Sequence, residues 1–232
     1  MSEGLDRPRI RGVCFDLDGT LADTDDVLVS HLARYLRPLA PLLPGRDPHR
    51  LARDLVVRSE TPANLLYALS DRPGLDEAAG PILDAMHRLR GEGRPHRFLL
   101  IPGVEETLAR LHRSYPLAIV SSRDERGVRA FLDQFALTPL FRCLASARTC
   151  RRIKPHPAPL LWAAREMSLP PQACLMVGDT TVDILAARAA GAQSVAVLCG
   201  FGQRAELERA GADLILDATP ALADILLAAV PG

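Results

Sequence analysis

The chain has 232 residues, 48% hydrophobic and 24% charged, a balance that excludes disordered, collagen-like and disulfide-stapled classes and fits one large globular domain or one domain carrying an insertion. Lys plus Arg number 28 and Asp plus Glu 28, so the net charge is zero and no global field draws the chain to nucleic acid or to an anionic membrane. No apolar run reaches the ~18 residues of a membrane span, and the polar start from Met1 to Arg11 does not look like a signal peptide, so a cytoplasmic protein with neither nucleic-acid nor membrane partner is expected.

Taken in chain order, IRGVCFDL (Ile10 to Leu17) is a short apolar run ending in acids, the pattern of a buried parallel strand. Tyr115 to Ser122, Ala173 to Asp179, Gln193 to Leu198 and Asp213 to Leu216 repeat it. Between them GVEETLARLHRS, DERGVRAFLDQF, HPAPLLWAAREMS, TTVDILAARAAG and QRAELERAG carry apolar residues at helical spacing, and Gly191 and Gly211 end two of them as C-caps. Strands alternating with helices predict an α/β fold, a doubly wound, Rossmann-like parallel sheet whose ligands bind beyond the strands' carboxyl ends.

From about Ala22 to Phe98 the rhythm breaks into helix-like segments without a strand, which predicts an inserted all-helical cap over residues 22–98 within a discontinuous core of 1–21 and 99–232. An insertion just after the first strand would act as a lid, hinged near Ala22 to Asp25 and Gly91 to Arg97. Its arginines Arg46, Arg50, Arg53 and Arg58 read first as a solvated face balanced by Asp47, Asp54 and Glu60, and second as ligands for a substrate anion. A cap of this size lets a monomer close its own site, so a monomer is expected.

The five cysteines are odd in number and form no CxxC pair, so they read as reduced thiols, mostly buried. Of the 28 basic residues 27 are Arg, and the one Lys is Lys154, a compact ammonium kept where a planar guanidinium fills every other basic position. It lies in RRIKPHPAP, where two prolines stiffen the approach to a helix; His156 beside it reads as a structural helix-start residue.

Asp16 and Asp18 stand two apart on an extended segment, a spacing that turns both carboxylates to one side. Two such charges repel unless a cation, a shared proton or hydrogen bonds absorb them, and hard oxygen ligands favour Mg²⁺. A second acidic group, GDTTVD, puts Asp179 at a strand end and Asp183 one turn into the next helix. Taken alone it reads as an N-cap at Asp179 with Asp183 favourable to the helix dipole. Ser121 and Ser122 end another strand, where they cap the next helix or receive a phosphate oxygen.

In order, DLDGT at 16–20, Ser121 after an apolar strand, Lys154 before Pro155, and GDxxxD at 178–183 resemble the four motifs of the haloacid dehalogenase superfamily, and the insertion resembles the helical cap of its phosphoglycolate-phosphatase-like branch. The resemblance implies a Mg²⁺-dependent phosphatase acting on a small phosphorylated metabolite, phosphoglycolate-like or a sugar phosphate. Asp16 would be the nucleophile, forming an aspartyl-phosphate, and Asp18 the acid and then the base. Ser121, Ser122 and Lys154 would hold the phosphoryl group. The metal would be held by Asp16, the Asp18 carbonyl, Asp179 and, directly or through water, Asp183.

A dehalogenase has no use for an acid at Asp18, and a phosphonatase needs a cap lysine that this insertion lacks. The remaining rivals are a phosphosugar mutase, which shares the four motifs, and a non-catalytic phosphate-sensing module.

Overall fold

A computed structural model describes residues 4–23 and 98–228, together with Arg37 and Pro48. The chain divides into two compact units, Met1–Asp23 with Phe98–Gly232, and Thr24–Arg97. Apart from its edges, Arg37 and Pro48, the insertion expected at 22–98, with Arg46, Arg50, Arg53, Arg58 and the return linker, lies outside the described residues.

The first unit is a six-stranded parallel sheet: β1 (Gly12–Phe15), β2 (Leu117–Val120), β3 (Phe141–Ala145), β4 (Cys174–Gly178), β5 (Gln193–Val197) and β6 (Leu214–Leu216). Its order is β3-β2-β1-β4-β5-β6. The helices α1 (Val104–His112), α2 (Glu125–Gln134), α3 (Ala158–Glu166), α4 (Thr181–Ala190), α5 (Arg204–Ala210) and α6 (Ala221–Leu227) join the strands and follow the last. Strand alternation explains the layering. Val13, Phe15, Leu117, Ile119, Leu175 and Val177 face α1, α2 and α6 in one core, with Leu108, Phe131 and Leu222 among their partners. Cys14, Ala118, Val120 and Met176 point the other way, into a core with Leu160, Ala163 and Ala187 of α3 and α4, while Ile184, Ala196 and Leu207 bring in α5.

All five expected strands form, and Gly191 and Gly211 end α4 and α5 in the left-handed region at φ 74° and 91°. Among the described strands and α-helices, two were not expected. Strand β3 is an edge strand with one buried position in five, and its sequence FRCLA lacks a long apolar run to announce it. Helix α6 has seven residues and no side-chain cap. All five cysteines are free; Cys14 and Cys174 are buried, whereas Cys143, Cys150 and Cys199 are half-buried, less buried than their composition suggested. At the edges of the insertion the chain pairs with itself on leaving and returning: Asp23 N–H donates to the Leu99 carbonyl (2.9 Å) and Ile101 N–H to that of Leu21 (3.0 Å).

Candidate active site

Because β1 has β2 on one side and β4 on the other, the chain's direction of travel reverses at β1, and the crevice beyond their carboxyl ends is where this sheet type binds ligands. Asp16 leaves β1 there, its N–H still bonded to the Val177 carbonyl at 2.8 Å; Asp179 leaves β4, and Ser121 leaves β2 with its N–H on the Ala145 carbonyl at 2.9 Å. Three motifs distant in sequence thus end on three adjacent strands.

Lys154, carried by the loop between β3 and α3, reaches the same point. Its Nζ donates to Asp16 Oδ1 at 2.7 Å and to Asp183 Oδ1 at 2.6 Å. It is 4% exposed and Asp183 is fully buried. The other Asp183 oxygen accepts from Thr180 N (3.1 Å) and Thr180 Oγ1 (2.7 Å), so one carboxylate both opens α4 and holds the ammonium. Thr180, not Asp179, is the N-cap of α4. Asp179 is fully buried, and its Oδ2 accepts from Phe201 N at 2.9 Å. Glycines permit this approach: a Cβ on Gly200 or Gly19 would collide with Asp179 Oδ2, and one on Gly202 with the Asp179 carbonyl.

Asp16, Asp179 and Asp183 each offer an oxygen, all within 4.8 Å of one another. The electrostatics follow from crowding three buried acids against one ammonium. Burial raises the Asp16 carboxyl to about 7; Lys154 pulls it down, and Asp183 pushes it up. Burial works against the charge on Lys154, but Asp16 and Asp183 outweigh it and hold its proton more firmly than usual. The donor set suits Mg²⁺, being all hard oxygen without His or Cys.

The Asp18 side chain lies outside this triad and faces Arg123, whose Nε and Nη2 donate to Oδ2 (3.0 Å) and Oδ1 (2.6 Å). Ser121 is buried, its Oγ accepting from Arg123 N at 3.1 Å, and Ser122 follows half-buried. Neither caps α2; Asp124 does, accepting from Gly127 N at 3.0 Å. His156 is structural as expected, its Nδ1 accepting from Ala158 N at 3.1 Å.

Sequence reasoning missed Arg123 as a partner of Asp18, Thr180 as the second support of Asp183, and the glycines at 200 and 202. The only signal was CGFG after the fourth expected strand, a turn pattern without chemistry of its own.

The model of the haloacid dehalogenase-like hydrolase family matches residues 13–197, a span that holds Asp16, Asp18, Ser121, Lys154, Asp179 and Asp183. The chain belongs to that family. It is 31% identical over 221 residues to a phosphoglycolate phosphatase of Pseudomonas putida, covering 93% of this chain and 78% of the relative. It is 30% identical over 222 residues to one of Chromobacterium violaceum, covering 94% and 96%. Its fold resembles a haloacid dehalogenase superfamily hydrolase of subfamily IA from Geobacter sulfurreducens (TM-score 0.64, 24% identity, 97% and 100% covered). It also resembles a hydrolase from Pseudomonas syringae (TM-score 0.68, 24% identity, 94% and 100% covered).

Proposed function

We propose that this hydrolase is a Mg²⁺-dependent phosphatase that cleaves a small phosphate monoester through an aspartyl-phosphate on Asp16. One observation carries the reading: a buried carboxylate at the end of β1 has one oxygen held by Lys154 and lies beside two further buried acids at the end of β4. An acid so placed has its orientation set and its charge managed, as a carboxylate nucleophile requires.

Asp16, Asp179 and Asp183 would hold the ion, with the Asp18 carbonyl as a further oxygen donor. When bound, Mg²⁺ offsets the repulsion between an anionic nucleophile and an anionic phosphoryl group. Asp16 attacks phosphorus. Lys154 holds that carboxylate and, with Ser121 and Ser122, the phosphoryl oxygens. Asp18 protonates the leaving oxygen and later takes a proton from the attacking water. The phosphoglycolate phosphatases among its relatives favour a small phosphorylated acid as substrate, and the insertion at 22–98 is the segment proposed to select it.

The test is phosphate release from p-nitrophenyl phosphate and a panel of small monoesters including phosphoglycolate, with and without Mg²⁺, beside Asp16→Asn. Mg²⁺-dependent release that the variant abolishes is expected. Release unaffected by Asp16→Asn would overturn the reading, as would transfer of phosphate between sugar hydroxyls without release.

A further inference from the structure

The partners of Asp16, Asp179 and Asp183 follow from the chemistry of a cation site; that of Asp18 does not. Arg123 meets Asp18 through two nitrogens, one to each carboxylate oxygen, at 3.0 and 2.6 Å, the bidentate arrangement that fixes a carboxylate in both position and plane. The pair is partly withdrawn from water, the Arg123 side chain 12% exposed and that of Asp18 30%.

Arg123 is itself anchored. Its guanidinium lies over the Phe98 ring, 5.4 Å from the centroid. Phe98 stands edge-on to Phe131 with centroids 5.6 Å apart. The Gln134 side chain bonds the Phe98 backbone at both ends, at 3.0 and 2.8 Å. The backbone of Arg123 is held as well, its N–H by Ser121 Oγ and its carbonyl by Ala147 N–H at 2.9 Å. A long side chain tied at the backbone, stacked on a ring and forked onto the Asp18 carboxylate has little freedom left.

We propose that Arg123 is a positioning residue for Asp18 in the hydrolytic half-reaction, orienting its carboxylate to accept the proton of the attacking water; this rests on the phosphatase reading above. In the first half-reaction the bond from Asp16 to phosphorus forms and the ester P–O bond breaks. The departing oxygen keeps the bonding pair and takes the proton of Asp18, leaving a carboxylate, the form a guanidinium grips. In the second, the oxygen of water bonds to phosphorus while one of its protons passes to Asp18. The bond to Asp16 then breaks with its electron pair returning to that carboxylate, and phosphate carries away the other hydrogen. Arg123 acts through the Asp18 carboxylate it grips, denying it the orientations that miss the water.

The test follows p-nitrophenyl phosphate turnover with saturating Mg²⁺ by stopped flow for the wild type, Arg123→Gln and Arg123→Lys. The p-nitrophenolate group departs without a proton, so kcat/KM reads attack by Asp16 and kcat reads hydrolysis once that step limits. In Arg123→Gln, kcat is expected to fall about tenfold or more, the scale of a general-base contribution. KM falls by the same factor, kcat/KM stays within about twofold, and one equivalent of p-nitrophenolate appears in a burst. Arg123→Lys, which keeps the charge without the fork, falls between. A kcat/KM that drops with kcat and shows no burst would mean a general disturbance of the site and overturn the proposal, as would an unchanged kcat. If the Gln variant does not fold, the Lys variant decides on the same criteria. A wild type without Mg²⁺-dependent release defeats the phosphatase reading first, before any variant is compared.

Discussion

Lys154→Met tests the electrostatics of the site most directly. The Lys154 side chain is 3% exposed and holds Asp16 and Asp183 at 2.7 and 2.6 Å. Met keeps the unbranched stem, so the change removes the ammonium and little volume. Removing one partner of a buried ion pair costs about 3–5 kcal/mol, and here two carboxylates lose their partner together. Asp16 limits the loss: Lys154 holds its carboxyl down, so without the ammonium a group already at about 7 rises further and keeps its proton at neutral pH. The expected loss is therefore about 3 kcal/mol near pH 8 without metal, within the ~5–15 kcal/mol that a domain has in total. It shrinks near pH 5.5, where Asp16 is protonated in wild type and variant alike. Mg²⁺ at about a hundred times its dissociation constant adds roughly 2.7 kcal/mol to a protein that binds it only when folded, and it compensates more charge in the variant, so the gap narrows. Urea unfolding followed by the fluorescence of Trp162, the chain's one tryptophan, measures all three quantities. A loss below about 1 kcal/mol, or one indifferent to both pH and Mg²⁺, would refute the account, since breaking a buried pair leaves a larger penalty.

The wild type without metal should also lose stability as pH rises. Asp16 is at about 7 in the folded protein against an ordinary value of 3.8, so between those limits the folded state binds more protons and its advantage falls toward neutrality. Mg²⁺ must displace that proton, so its affinity should rise over the same interval; urea midpoints in EDTA and Mg²⁺ titrations at pH 5.5 and 8 check both slopes, and a metal-free midpoint that climbs with pH contradicts them. Gly200→Ala places a Cβ against Asp179 Oδ2; it should cost about 1–3 kcal/mol, as overpacking does, and raise the Mg²⁺ concentration needed to shift the melting temperature. Phe131→Ala empties a fully buried site that touches Phe98 and Phe135, with centroids 5.6 and 5.3 Å away. A loss of about 3–5 kcal/mol in chemical unfolding is expected.

Much of this protein was legible in the one-dimensional pattern because its elements are buried in different ways. Strands covered on both faces read as unbroken apolar runs, so β1, β2, β4 and β5 announced themselves, and their acidic or hydroxyl ends pointed to the edge where ligands bind. The acids at 16, 18 and 179 were visible because charge rarely sits at the end of a buried strand without a use, Asp183 because it follows Asp179 by one helical turn, and Lys154 because it is the one lysine among 27 arginines. Strand β3 escaped because Arg142 and Cys143 interrupt its apolar run, and α6 because ALADILL is apolar but for Asp224 and shows no polar face to mark a helical period.

Pairing was decided only in three dimensions. The residues themselves specify that Lys154 needs anions and that the acids need cations, but 138 positions separate Lys154 from Asp16 and 105 separate Arg123 from Asp18. Only the strand order, with β1 between β2 and β4, brings those positions together. Which acid takes which cation was then settled by sterics. Glycines at 19, 200 and 202 let Asp179 sink beneath the loops, Thr180 turns Asp183 toward Lys154, and the Phe98 ring sets the guanidinium against Asp18. Local sequence carries the chemistry each side chain can perform; partner choice depends on distances of a few ångströms that arise only when the sheet closes and buries the alternatives.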